Sequence, residues 1–146
     1  MRYTVTTFKV RLEVADPGPP TRSSEDVWRF SKSIFSDLDA DKEHFVLLVL
    51  NNKNRVNGFK VISTGTLTTC LVHPREVYSA VLCPEWRAAA IVFVHNHPSG
   101  DPAPSQEDQD ITRRLKEIGD LFGIRVLDHV IVGHDRFFSF SDRGLL

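Results

Sequence analysis

The 146-residue sequence has only two cysteines, a formal charge of −1 and no apolar stretch of membrane-spanning length, and each shortage closes off a class of protein. Cys70 and Cys83 fall in different expected elements and form no CxxC pair. Neither a disulfide framework nor a thiolate zinc site is therefore expected, and both are read as reduced, buried thiols. Basic residues are scattered rather than massed, which gives no broad electrostatic footprint for nucleic acid. The N-terminal MRYTVTTFKVRLEV alternates polar and apolar residues where a leader or membrane helix would be continuously apolar, so a cytoplasmic protein with no membrane partner is expected. Repeats and low-complexity tracts are absent as well.

What is present describes one soluble domain. A chain of this length buries roughly 70% of its unfolded surface, enough for a real core. Residues 3–14 alternate as a strand, and the Pro- and Gly-rich run 16–20 then breaks the chain; residues 1–22 are read as a strand and linker of the same globular unit, ahead of a domain over 23–146. Ser23 or Ser24 caps a helix with Val27, Phe30, Ile34 and Phe35 on its buried side, ending near Ser36 or Asp37. Phe45–Leu50 is apolar on both faces, as in a strand covered on both sides, and Asn51–Asn54 turns it into a returning strand over 59–63. Pro74 opens a helix expected to run to about Glu85, and Ala89–His97 is a second apolar strand. Ser105 to about Phe122 is the clearest helix, with a stripe of Ile111, Leu115, Ile118 and Leu121 and with Gly123 to end it. Strands over 124–132 and 137–140 complete an α/β (α+β) mixed sheet flanked by helices.

Chemistry concentrates in His95-Asn96-His97-Pro98-Ser99-Gly100-Asp101-Pro102-Ala103-Pro104-Ser105-Gln106-Glu107-Asp108. Side chains two apart on a strand share a face, so His95 and His97 can present two imidazoles to one ion, and Pro98 stops the strand beside them. The prolines and Gly100 make a stiff connection to the helix start, from which Asp108 can point back as a third, anionic ligand. Two neutral imidazoles and a carboxylate suit Zn2+, one per chain, and three protein ligands leave a fourth position for water. Bound there, water is acidified and a carbonyl can be polarised, which is hydrolytic chemistry. Two plainer uses compete. Ser105 to Asp108 also reads as a capping box, and a lone strand histidine commonly packs or faces solvent. The letters HNH are coincidental, because the catalytic residues of HNH nucleases are spread along their motif.

A hydrolase of this design needs a general base, and a carboxylate is the usual choice beside zinc. Glu43, at the head of strand 45–50, is the candidate; Asp41, Glu76, Glu85 and Asp128 compete with it, and spacing alone leaves the choice open.

His95-x-His97, seven residues, Ser105, two residues and Asp108, with an upstream glutamate, resembles the JAMM signature of the JAB/MPN metalloprotease superfamily. Gly65-Thr66-Leu67, His73-Pro74-Arg75-Glu76-Val77, His95–Asp101 and Leu127-Asp128-His129-Val130-Ile131-Val132-Gly133 together resemble the RadC family. The resemblance implies a JAB/MPN fold related in shape to cytidine deaminases. It places zinc ligation on His95, His97 and Asp108, water activation on Glu43, and oxyanion support on Ser105. In two respects the chain departs from longer RadC proteins: it shows no N-terminal helix-hairpin-helix pattern, and residues 65–70 differ from the Asn-containing form expected after the leucine. Of the remaining polar residues, His73 is read as the residue before a helix-opening proline, His129 as a hydrogen-bonded core imidazole, His44 and His134 as surface groups, and Arg75 and Glu76 as a surface pair.

The resemblance implies a metallopeptidase or isopeptidase acting on a peptide or protein. The family's link to DNA repair motivates an alternative, a metal-dependent nuclease or other DNA-processing factor, against which the neutral charge counts. JAB domains that have lost ligands serve as non-catalytic scaffolds, but here every ligand is present. A zinc deaminase is set aside, because the HxE and PCxxC pattern is missing.

Overall fold

The computed structural model of the chain describes residues 18–65 and 71–146. The expected strand over 3–14 and Cys70 lie outside the described residues.

Seven consecutive residues of β1 (Glu43–Leu50) after Glu43 are buried, so this strand has no face left for water. It lies between antiparallel neighbours β2 (Val56–Gly65) and β3 (Ala90–Asn96); β3 continues in parallel to β4 (Arg125–Val132), and β5 (Phe137–Ser139) closes the edge antiparallel to β4. The mixed sheet therefore has the order β2-β1-β3-β4-β5. Strand parity sorts its side chains into two cores. Val46, Leu48 and Leu50, with Val92, Val94 and Val130, pack under α1 (Ser24–Ser36) through Val27 and Ile34. Phe45, Leu47 and Val49, with Ile91 and Phe93, pack under α2 (Pro74–Val81) and α3 (Gln106–Phe122) through Val77, Tyr78 and Leu115. Leu47 and Leu48, both fully buried, look into opposite cores, and each contributes about 1.5–3 kcal/mol by leaving water. The result is the mixed sheet with flanking helices that the JAB/MPN resemblance implies.

Helix ends follow from local chemistry. Ser23 caps α1 by accepting the Asp26 N–H. Ser105 and Asp108 close a full capping box on α3, and Gly123, at φ +70°, ends it in the left-handed conformation. The second helix is shorter than expected. It stops at Val81, and Pro84 opens a separate 3-10 turn over Pro84–Trp86, since a proline cannot donate to the carbonyl four residues back and crowds it. Leu121 does not belong to the buried stripe of α3: it is 85% exposed, because it lies six residues, or roughly 120° around the helix, from the fully buried Leu115. Thr112 and Gly119 take the buried positions flanking Leu115.

Two further expectations need correcting. Cys83 is a free thiol but is partly exposed rather than buried, and it donates to Glu85 Oε2 at 2.7 Å, a bond that holds its pKa up. His44 is not a surface group. It is 4% exposed, because β1 pairing sets it opposite Thr64, where its ring contacts Thr64 Oγ1 at 2.9 Å and the Asp39 carbonyl at 2.8 Å. His134 is exposed, and His73 precedes the helix-opening Pro74 without capping it through its side chain. Arg75 and Glu76 both lie exposed on α2. No helix among the described residues is long and apolar enough to cross a membrane.

Candidate metal centre

The antiparallel pairing of β1 and β3 brings the start of one strand to the end of the other. Phe45 lies directly opposite His95. Glu43, two residues before Phe45, and His97, two after His95, fall on the same face. The parallel connection from β3 to β4 then runs through α3, whose first turn is delivered to this end of the sheet. Its lead-in is clamped: His97 N–H donates to the Val132 carbonyl at 3.0 Å, Gly100 N–H to the His97 carbonyl at 2.9 Å, and His134 N–H to the Gly100 carbonyl at 3.2 Å. Gly100 sits at φ +83°, and a Cβ there would lie 2.5 Å from the His134 ring, so both the turn and its packing require glycine.

One ligand-capable atom from each of Glu43, His95, His97 and Asp108 lies within 4.8 Å of the others, and among the described residues this is the one such group. His95 Nε2 is 3.3 Å from Asp108 Oδ1 and 3.6 Å from Glu43 Oε1; His97 Nε2 is 3.4 Å from Asp108 Oδ2, and the two Nε2 atoms are 2.9 Å apart. A tetrahedron built on bonds of roughly 2.0–2.1 Å has edges of roughly 3.3 Å, so these separations fit a zinc-sized ion. The other ring nitrogens are occupied elsewhere. His97 Nδ1 lies 2.8 Å from the Asp101 carbonyl oxygen, which can only accept, so Nδ1 carries hydrogen and a neutral His97 turns a bare Nε2 inward. His95 Nδ1 faces His129 Nε2 at 2.8 Å. Lone pairs and carboxylates converging at such distances call for positive charge among them, from a proton on His97 or from a metal ion, and the donor set suits zinc.

The electrostatics agree. Burial pushes the pKa of His95 down to about 4 despite the charge of Asp108. Burial opposes protonation of His97 too, but its bonds to Asp108 and the Asp101 carbonyl, with the charges of Asp108 and Glu43, outweigh burial and raise its pKa. Asp108 is partly desolvated, yet the bond from His97, the charge of His95 and the Ser105 cap hold it below the usual carboxylate range. Glu43 moves the other way: burial, then the nearby Asp108 charge, raise its pKa against the pull of His97.

Of the five carboxylates that compete for the base, Glu43 alone joins the cluster. Asp41, Glu76 and Glu85 are exposed elsewhere. Asp128 is buried on the opposite face, accepting from Ser139 Oγ and from the backbone N–H groups of His129 and Ser141. The capping box and the cluster coexist in one residue: Asp108 Oδ2 accepts the Ser105 N–H at 2.7 Å while the same carboxylate faces both histidines. In the cap Ser105 Oγ accepts the Asp108 N–H at 3.0 Å, so the cap does not use the hydroxyl hydrogen. His129 is the hydrogen-bonded core imidazole expected, fully buried; what strand patterning did not foretell is that its partner is His95.

A mixed sheet between helices, with Glu, His, His and Asp gathered where β1 begins and β3 ends, fits the JAB class of domain with a metal site of JAMM type. A family model described as "RadC-like JAB domain" matches residues 21–145, and the chain belongs to that family. It is similar to UPF0758 proteins: 53% identical over 108 residues to that of Syntrophotalea carbinolica (74% of this chain, 47% of the relative), and 55% and 54% identical over 108 residues to those of Geotalea uraniireducens and Geobacter sulfurreducens (74% of this chain, 46% of each relative). The chain thus spans about half the length of the curated relatives it matches.

Proposed function

We propose that the protein is a zinc-dependent hydrolase of JAMM type that cleaves amide bonds in a peptide or protein substrate. The observation that carries the proposal is the convergence of Glu43, His95, His97 and Asp108 at the meeting of β1, β3 and α3. His95, His97 and Asp108 hold the ion. When bound, zinc supplies Lewis acidity that lowers the pKa of water and polarises a carbonyl oxygen.

The chain's own groups do the rest. Glu43 takes a proton from the attacking water as its oxygen bonds to the carbonyl carbon. It returns that proton to the nitrogen as the C–N bond breaks, while the water's second hydrogen stays on the new carboxyl group, so an amine and a carboxylic acid leave with protons balanced. A carboxylate whose pKa is raised by burial suits both halves of that task. The Ser105 hydroxyl, free of donor duty in the cap, donates to the oxyanion that develops.

Metal analysis of the purified protein, paired with a peptide-amide hydrolysis assay, tests the proposal. One zinc per chain, and turnover lost in Glu43→Gln, are expected. Turnover retained in that variant would sink the assignment of the base, and failure to bind zinc would sink the reading altogether. Salt-sensitive DNA binding with cleavage lost on chelation would favour DNA processing instead.

A further inference from the structure

The metal-facing nitrogen of His95 is available to an ion only if its hydrogen sits on the other nitrogen, and the partner of that other nitrogen is not a carbonyl but a second imidazole. An imidazole can donate or accept, so the pair His95–His129 does not by itself decide which tautomer His95 adopts. The decision comes from one step further in. Thr112 Oγ1 lies 2.5 Å from the backbone carbonyl of Asp108 and 2.5 Å from His129 Nδ1. The carbonyl can only accept, so the Thr112 hydrogen is committed to it and a lone pair is turned to His129. Nδ1 of His129 must then carry hydrogen, which leaves its Nε2 as the acceptor; His95 Nδ1, 2.8 Å away, must donate to it. Nε2 of His95 is left bare, facing His97, Asp108 and Glu43.

We infer that Thr112, acting through His129, is a positioning residue that locks His95 in its metal-binding tautomer without touching the metal or any ligand imidazole. The inference rests on the zinc reading above. Thr112 is 1% exposed, His129 0% and His95 1%, so solvent is not at hand to replace a partner in the chain. His129 is also fixed in orientation, stacked on Phe140 at 4.9 Å and edge-on to Phe45 and Phe93. The relay begins and ends on ligands. Thr112 stands four residues after Asp108, so the helix turn that presents the carboxylate also presents the hydroxyl, and the carbonyl that orients the hydroxyl is that of Asp108 itself. Outer partners of this kind tune a ligand's tautomer and basicity.

Thr112→Val keeps the shape and removes the hydroxyl. His129 Nδ1–H then has no acceptor, and the ring escapes that buried unsatisfied donor by moving its hydrogen to Nε2, which reverses the existing bond so that His129 donates to His95 and leaves only a bare lone pair on Nδ1. That forces the hydrogen of His95 onto the nitrogen the ion needs. Zinc affinity, read by competition with a chromophoric chelator, should fall by about 10–100-fold in Thr112→Val and return close to wild type in Thr112→Ser. Equal affinity in wild type and Thr112→Val, with or without a lower melting temperature of the metal-free protein, would overturn the relay; wild type that binds no zinc would overturn the metal reading before Thr112 is in question. Ring 1H–15N spectra of the zinc-loaded wild type give an independent reading: hydrogen on Nδ1 of His129 supports the relay, and hydrogen on Nε2 refutes it.

Discussion

Glu43 and Asp108 are both acids near two histidines, and the structure drives them apart: one is burdened by burial and its neighbour's charge, the other relieved by hydrogen bonds and histidine. Glu43→Gln should therefore leave zinc stoichiometry intact while hydrolysis falls by about 10²–10⁴-fold, whereas His95→Ala should lose the metal as well, as metal content beside turnover would show. Protonation of the metal-free protein gives a second test. His95, its pKa pushed down to about 4, and His129, also lowered by burial, stay neutral in the fold, while in the unfolded chain they titrate near 6.5. The unfolded state thus binds the extra protons, so stability is full above about pH 6.5 and declines as pH falls toward 4. His97 has the opposite sign, since its raised pKa adds stability at low pH that is lost as pH rises through that value. Glu43 and Asp128, raised chiefly by burial, share the sign of His97 near their own pKa values. The two fully buried rings carry the larger shifts, so the denaturant midpoint should be lower at pH 5 than at pH 7, and a midpoint that rises would contradict the buried neutral rings. At this scale the cluster was legible, because pleat parity puts His95 and His97 on one face whatever the rest of the chain does. Choosing Glu43 from five acids was not, since it depends on which strand lies beside β3. Thr112 carried no signal, being an ordinary helix threonine until His129 is placed against it.

Elements were legible where local rules govern and obscure where packing does. The ends of α1 and α3 fall where Ser23, Ser105 and Gly123 put them. The length of α2 and the exposure of Leu121 depart from the expected pattern, the first because the helix stops ahead of Pro84, the second because an apolar residue near a stripe need not lie on it. Gly119 shows what the periodicity hides. A Cβ there would come within 2.9 Å of Tyr78 Oη and Val126 Cγ2 and 2.8 Å of the Ile124 carbonyl, so α3 rests on β4 and α2 at a point with no room for a methyl. An alanine in mid-helix gains about 1 kcal/mol in propensity, but overpacking costs about 1–3 kcal/mol. Gly119→Ala should accordingly be destabilised in equilibrium denaturation, and a stabilised variant would show that the helix can lift away freely.

For the molecule as a whole, the four cluster residues come from three separated pieces of chain, at 43, 95–97 and 108, and meet only when the β1–β3 pairing and the crossover to β4 are both made. An ion held, as proposed, by His95, His97 and Asp108 draws on two of those pieces and binds the native state in preference to the unfolded chain. Zinc at one hundred times its dissociation constant should raise unfolding stability by about 2.7 kcal/mol, and excess chelator should remove that increment, as calorimetry with and without chelator would show. The α/β class and the sheet with flanking helices were legible from alternating apolar strands and helices. Strand order was not, since β1 lying between β2 and β3 is set by long-range pairing that local patterning does not encode.

The pairing of β1 with β3 decides more than strand order. Glu43 looks toward the two ligand histidines, and its neighbour His44 is turned to the opposite face. Sliding β1 by a single residue, about 3.3 Å, would exchange them and offer a third imidazole where the carboxylate now stands. A three-imidazole site can still grip a metal ion, but it no longer holds the carboxylate that, in the proposed reaction, carries a proton from water to the leaving amine. The backbone ladder between these strands thus keeps, by a margin of one residue, the carboxylate on which the proposed hydrolysis depends.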